Sequence, residues 1–144
     1  MTSKITALLF SVIGTYIAAV ILVSQLNIAQ VIDLGFPVSI GQRFAAVGRD
    51  LVGMSSTYLV LITIGLLIAF LFTSLLLMRF INKPAILFPL AGFVGLISIH
   101  LILNYVFGVA GIAPTRTIIG LCSQGLAGIL GGYIYYRMVF ARRA

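Results

Sequence analysis

The chain has 144 residues, of which 62% are hydrophobic and 8% are charged. Soluble domains are typically about 45–50% apolar and about 25% charged, so this composition excludes an ordinary water-soluble fold and indicates a protein whose solvent is lipid. The net charge is +7, but the basic residues lie at the ends of apolar runs, where they match lipid headgroups rather than nucleic acid. The single cysteine, Cys122, excludes an intrachain disulfide and a cysteine-based metal site.

Four continuous apolar runs predict an all-α integral membrane four-helix bundle, a single transmembrane domain over residues 1–144. At about 1.5 Å per residue, each run can cross a hydrocarbon layer of about 30 Å as a helix. Continuous rather than alternating hydrophobicity argues against barrel strands. The first run is too long for the apolar core of a secretion signal, so we interpret it as a retained span. In chain order the runs cover residues 5–26, 57–77, 85–106 and 117–138.

Short connections are predicted between the later spans. Asn82, Lys83 and Pro84 have turn chemistry and separate the second span from the third. The segment from Gly108 to Pro114 connects the third span to the fourth, and Pro114 suits the first turn of the fourth helix.

The long connection, residues 27–56, is predicted to contain a helix of its own. Ser39 followed by Gln42 is a capping-box pattern that opens a helix over roughly residues 40–52. We expect this helix to be amphipathic and to lie along the outer membrane surface; an ordinary ordered loop is the alternative. Its predicted apolar side consists of Phe44, Val47, Leu51 and Met54.

The distribution of charges predicts the orientation. Six basic residues fall on one side of the predicted spans, whereas three basic residues and both acidic residues fall on the other. The positive-inside rule then places both termini in the cytoplasm, and we expect a bacterial cytoplasmic (inner) membrane. The inner set is Lys4, Arg79, Lys83, Arg137, Arg142 and Arg143; the outer set is Arg43, Arg49, Arg116, Asp33 and Asp50.

Small residues recur at a spacing of four on the spans, a pattern typical of helices that pack closely in lipid. We interpret these seams as packing within the bundle. The alternative is that the seam of the fourth span forms a dimer or docks the protein on a partner. The residues concerned are Gly120, Gly128 and Gly132 on the fourth span and Gly65 and Ala69 on the second.

Asp, Glu, Lys and Arg are absent from the interior of all four runs. Proton-coupled and cation-coupled transporters usually keep such a group near the midplane, since coupling needs a site that changes charge. The sequence also lacks paired carboxylates, a Ser–His–Asp set and a glycine-rich phosphate loop. We therefore expect no enzymatic activity, no cofactor and no bound metal.

The polar residues that remain are neutral and lie mostly in the outer half of the spans. His100 and Asn104 are four residues apart and share one face of the third span. Thr63 on the second span comes to a depth similar to that of His100, and Gln124 on the fourth lies a little deeper, near the middle. Together these four residues predict a polar pocket beneath the outer surface; interhelical hydrogen bonding is the alternative.

Arg116 stands at the predicted outer start of the fourth span, where the positive end of the helix dipole disfavours a cation. An anionic partner is therefore expected. We favour a salt bridge to Asp33 or Asp50, followed by a lipid phosphate or an anionic ligand.

Two functions fit these observations. The first is a non-catalytic accessory or scaffold subunit that acts through helix–helix and lipid contacts, with membrane lipids and either a protein partner or a second copy of the chain as its partners. The second is a small transporter, channel or lipid- or quinone-binding module that uses the polar pocket.

Overall fold

The computed structural model describes residues 4–79, 83–108 and 112–140. In these residues the chain forms five α-helices, one short 3₁₀ helix and no strand. Four of the five are long and apolar enough to cross a membrane. The helices are α1 (Lys4–Asp33), α2 (Ile40–Gly53), α3 (Ser55–Arg79), α4 (Pro84–Phe107) and α5 (Ile118–Val139), and the 3₁₀ helix is Ala113–Arg116.

Helix α1 is longer than the predicted first span. It has 30 residues and is therefore about 45 Å long, well beyond a hydrocarbon layer of about 30 Å. The helix passes Leu26, the end of the apolar run, and continues for two turns to Asp33. These turns are the beginning of the segment that the sequence pattern assigns to the long loop. Gly35, at φ 90°, follows the end of the helix in a conformation that favours glycine.

Helix α2 begins at the capping box anticipated from the sequence. The Ser39 hydroxyl accepts from the Gln42 backbone N–H, and the Gln42 side chain accepts from the Ser39 N–H. Only Met54 separates α2 from α3. Its N–H donates to Asp50 O and its carbonyl accepts from Tyr58 N–H, both at 2.9 Å. The hydrogen bonding of α2 therefore continues into α3 without a free linker.

The four long helices form a ring in which α5 packs against α4 and α1, and α3 packs against the same two neighbours. Helices α3 and α5 therefore lie on a diagonal. The first residue of α1 and the last turns of α3 and α5 meet at one end, where Lys4, Met78 and Phe140 line a common pocket. Helix α2 lies at the opposite end, here called the α2 end.

The closest contact in the bundle is between the backbones of α4 and α5. A Cβ atom added at Gly128 would lie 2.1 Å from Gly92 O, and one at Gly132 would lie 2.1 Å from Phe88 O. Any larger side chain at these positions would separate the two helices. The small residues of the fourth predicted span thus make their contacts within the chain.

The other glycines of α5 and those of α3 and α4 make similar contacts. A Cβ at Gly131 would lie 1.9 Å from Thr15 Oγ1 on α1, so α1 is also seated close to α5. Ser11 secures this pair by donating to Gly131 O at 2.6 Å. Helix α3 meets α4 at Gly65 and Gly95, where a Cβ on Gly95 would lie 3.2 Å from Gly65 O.

An aromatic cluster fills the core at the end opposite α2. The ring centroids of Phe70 and Tyr135 are 4.6 Å apart, and those of Phe88 and Tyr135 are 4.9 Å apart. Phe140 extends the cluster, with its ring centroid 5.3 Å from that of Phe88. Since these residues come from α3, α4 and α5, the cluster joins three of the four long helices.

The connection to α5 differs from the predicted one. Pro114 is buried in the 3₁₀ helix rather than in the first turn of α5. Thr117 is the residue that caps α5, because its hydroxyl accepts from Gly120 N–H at 3.1 Å. Parts of both predicted connections lie outside the described residues, namely Asn82 and residues 109–111, as do Arg142 and Arg143 of the basic inner set.

Replacing Gly128 with Ala tests the contact between α4 and α5. The added methyl group would overlap the Gly92 backbone, which cannot rotate away as a flexible side chain could. We expect Gly128→Ala to lower the free energy of unfolding by about 1–3 kcal/mol, measured by thermal unfolding in detergent. Gly48→Ala is the matched control, because a Cβ at Gly48 meets nothing within 4 Å. Equal stability of the two variants would contradict this packing.

Candidate functional site

A buried hydrogen bond between two side chains crosses the diagonal of the bundle. Tyr58, on α3, donates its hydroxyl hydrogen to Gln124 Oε1 on α5. Both side chains are buried, and Gln124 is fully enclosed. A buried tyrosine normally satisfies its hydroxyl in this way. The bond links two long helices that lie diagonally across the bundle and share little surface.

The Gln124 amide is oriented by its other contacts. Its Nε2 group donates to Ala19 O on α1 at 3.5 Å and to Ser123 Oγ at 3.3 Å. Ser123 in turn donates to Gly120 O at 2.7 Å. Gln124 therefore joins α1, α3 and α5 at one level of the bundle.

His100 lies beside this contact on α4. Its ring meets the Tyr58 ring edge to face, with the centroids 5.8 Å apart. Its Nδ1 atom lies 2.8 Å from Leu96 O, one turn earlier on α4. Because a carbonyl only accepts, Nδ1 is the protonated nitrogen. The other ring nitrogen, Nε2, is buried and has no hydrogen-bond partner in the described part of the chain.

Tyr16 extends the polar contacts towards α2. Its ring meets that of Tyr58 at a centroid distance of 6.3 Å. Its hydroxyl donates to Leu51 O on α2 at 2.5 Å. The rings of Tyr16, Tyr58 and His100 thus form a row that runs from α1 through α3 to α4, and its first member is fastened to α2.

The four residues of the predicted pocket are not all brought together. His100 and Gln124 both contact Tyr58. Thr63 instead donates its hydroxyl to Leu59 O, one turn back on its own helix. Asn104 is exposed near the end of α4. Of the two sequence interpretations, the geometry at Gln124 fits interhelical hydrogen bonding.

Arg116 has a different setting from the one expected. It is exposed and lies in the 3₁₀ helix, before the Thr117 cap, so it is outside the first turn of α5. No ion pair joins it to Asp33 or Asp50 among the residues that the structure describes. Asp33 is carried away from the apolar run by the two extra turns of α1. Asp50 is half-buried, on the same side of α2 as the bundle contacts.

Two tyrosines, Tyr16 and Tyr58, are the participants that the sequence pattern does not reveal. Tyr58 stands at the start of its apolar run, a position typical of an interfacial anchor, whereas Tyr16 stands in the middle of the first run. The sequence does contain a chemical indication of the Tyr58–Gln124 bond. A tyrosine inside a span needs a hydrogen-bond partner, and Gln124 is the only amide side chain within the fourth span. These two facts together suggest that Tyr58 pairs with Gln124.

An apolar groove with a volume of about 380 Å³ lies on the surface between α3 and α4. Small residues form its floor, and large aliphatic and aromatic side chains form its rims. The floor consists of Gly65, Ala69 and Thr73 from α3 and Ala91, Gly95 and Ser98 from α4. This feature is called the α3/α4 groove.

No group of three or more His, Cys, Asp or Glu side chains that could hold a metal ion occurs within the described ranges. The row of rings formed by Tyr16, Tyr58 and His100 and the α3/α4 groove are the two features that bear on function.

Comparisons with protein-family models, with curated proteins and with solved structures give no match to this chain.

Removing the Tyr58 hydroxyl tests the diagonal bond. In Tyr58→Phe the Gln124 oxygen keeps its burial but loses its donor, so we expect a loss of about 1 kcal/mol in the free energy of unfolding. Tyr105→Phe is the control, because Tyr105 is 92% exposed. In the double variant Tyr58→Phe/Gln124→Leu the losses should be less than additive. Strict additivity would indicate that the two side chains do not interact.

Proposed function

We propose that this chain is a non-catalytic integral membrane subunit that uses the α3/α4 groove to bind a transmembrane helix of a partner protein. In this proposal α1, α3, α4 and α5 span a bacterial cytoplasmic membrane. Both termini are cytoplasmic, which puts the α2 end outside. The orientation rests on the excess of basic residues at the end opposite α2.

The observation that carries the proposal is the uneven burial of the helices. In the most apolar segments, 50% of the residues of α5 are buried within the chain, compared with 28% in α3 and 22% in α4. The glycine contacts of α5 are used for internal packing, whereas the small residues of α3 and α4 also form the floor of an open groove. Small residues on an open face allow another helix to approach closely.

Ser98 favours a helix over a lipid chain as the occupant. Thr63, Thr73 and Ser74 each donate to a carbonyl one turn back on α3. Ser98 lines the groove and makes no such bond to the described residues. A hydroxyl in hydrocarbon is stabilised by an acceptor on a neighbouring helix, which an acyl chain does not offer.

Filling the groove tests this function. We expect Ser98→Leu to abolish co-purification of a stoichiometric protein partner from native membranes in mild detergent, because the larger side chain occupies the floor of the groove. Cys122→Leu is the matched control, since Cys122 is a small, exposed residue of α5 and does not line the groove.

Thermal unfolding of both variants shows whether the bundle itself is intact. A partner that stays bound to Ser98→Leu, or the absence of any stoichiometric protein with the unmodified chain, would contradict the proposal.

A second candidate is a lipid- or quinone-binding module, and the unpartnered Nε2 atom of His100 favours it. A neutral imidazole nitrogen is an acceptor that a hydroxyl or amide of a small molecule can satisfy. This function predicts that a defined lipid or quinone co-purifies with the chain, detected by mass spectrometry, and is lost in His100→Phe but kept in Ser98→Leu. Its absence from the unmodified chain would exclude this candidate.

A further inference from the structure

Helix α2 is positioned by two contacts with α1. Arg43 donates to Gln25 Oε1 at 3.0 Å, and Tyr16 donates to Leu51 O. Gln25 is next to the end of the apolar run 5–26, and Tyr16 is inside it. Helix α2 therefore lies beside the second half of the apolar run, from the level of Tyr16 to that of Gln25, rather than beyond Asp33, where α1 ends. The six residues 34–39 return the chain to this level.

The connection between α2 and α3 is independent evidence for the depth of α2 relative to the apolar runs. Helical hydrogen bonds pass from α2 through Met54 into α3. The apolar residues of α3 begin within its first turn. A helix that joins α3 at this point, without a linker, lies at the boundary between the apolar and the polar regions.

The apolar face of α2 is only partly covered by the bundle. Val47, Leu51 and Met54 are half-buried against the bundle. Phe44, which the sequence pattern groups with them, is 75% exposed. At about 100° per residue Phe44 lies only about 20° from Leu51 around the helix, but it is about two turns nearer the start of α2, where the face is left exposed.

Two further apolar residues of α2 are exposed. Ile40 is 73% exposed and Val52 is 77% exposed. At about 100° per residue, Ile40, Phe44 and Val52 fall within an arc of about 120°, which also contains the half-buried Leu51. The exposed Arg49 lies beyond the far edge of this arc, so the polar strip of α2 is separate from it.

We infer that the leaflet at the α2 end covers this face, with Ile40, Phe44 and Val52 inserted at the boundary of headgroups and acyl chains. The inference rests on the proposed membrane insertion of the bundle. Its specific support is the position of α2 beside the second half of the apolar run, where the surroundings of a spanning bundle are lipid. An interfacial helix buries its apolar face about 5–10 Å into this region and keeps its charged strip among the headgroups. Arg49 suits the phosphate groups of anionic lipids.

The experiment uses single labels in proteoliposomes of phosphatidylethanolamine and phosphatidylglycerol. An environment-sensitive fluorophore is attached to Phe44→Cys, Arg49→Cys or Ile68→Cys in a Cys122→Ser background. Iodide reports access from water. Phospholipids spin-labelled near the top or near the end of the acyl chain report shallow or deep contact with lipid.

We expect the label at position 44 to be blue-shifted and severalfold more strongly quenched by the shallow spin label than by iodide. The label at position 49 should show the reverse preference. The label at position 68, an exposed site within α3, reports on the spanning bundle and should be quenched by the deep spin label.

The possible failures are distinguishable. Equal iodide quenching at positions 44 and 49, with deep quenching retained at 68, would overturn the inference and leave the spanning bundle intact. Protection of position 44 from both iodide and lipid quenchers would also overturn it and indicate a protein cover. Iodide access at position 68 would overturn membrane insertion itself.

Discussion

The rest of the structure depends on the contact between the backbones of α4 and α5. Lipid gives apolar helices little reason to associate, so a bundle in a membrane is held by close packing and interhelical hydrogen bonds. Gly92 against Gly128, and Gly132 against Phe88 O, provide the close packing. Because α1 also packs closely against α5 at Gly131, α5 has the largest buried fraction of the four long helices. The outward faces of α3 and α4 are left uncovered as a consequence.

The buried hydrogen bonds complete the bundle across its diagonal. Helices α3 and α5 share little surface, yet the Tyr58–Gln124 bond and the contact of Phe70 with Tyr135 join them near opposite ends. Most of the buried polar groups make hydrogen bonds within the bundle. Three buried atoms are left without a hydrogen-bond partner among the described residues: His100 Nε2, Thr15 Oγ1 and Ser24 Oγ.

The sequence predicts the elements better than it predicts their faces. Hydropathy and the Ser39 cap indicate four long helices and the start of α2, since transfer to lipid and capping are local properties. They do not predict that α1 continues to Asp33, past the polar residues Asn27 and Gln30 that interrupt the apolar pattern. They place Phe44 on the side of Val47 and Leu51, but they do not predict that Phe44 is exposed, because hydrophobicity alone does not distinguish a residue covered by protein from one left uncovered. The Tyr58–Gln124 bond depends on the rotation of two helices that are distant in sequence, which periodicity alone does not determine.

The most direct test of the central claim is photo-cross-linking in native membranes from one position on each side of the bundle. Val94 lines the α3/α4 groove, and Leu126 lies on α5; they are 52% and 58% exposed. With a photoreactive amino acid at each position in turn, a partner helix in the groove predicts a discrete protein adduct from position 94 and none from position 126. Lipid adducts alone at position 94, or the same products from both positions, would contradict a function based on this groove.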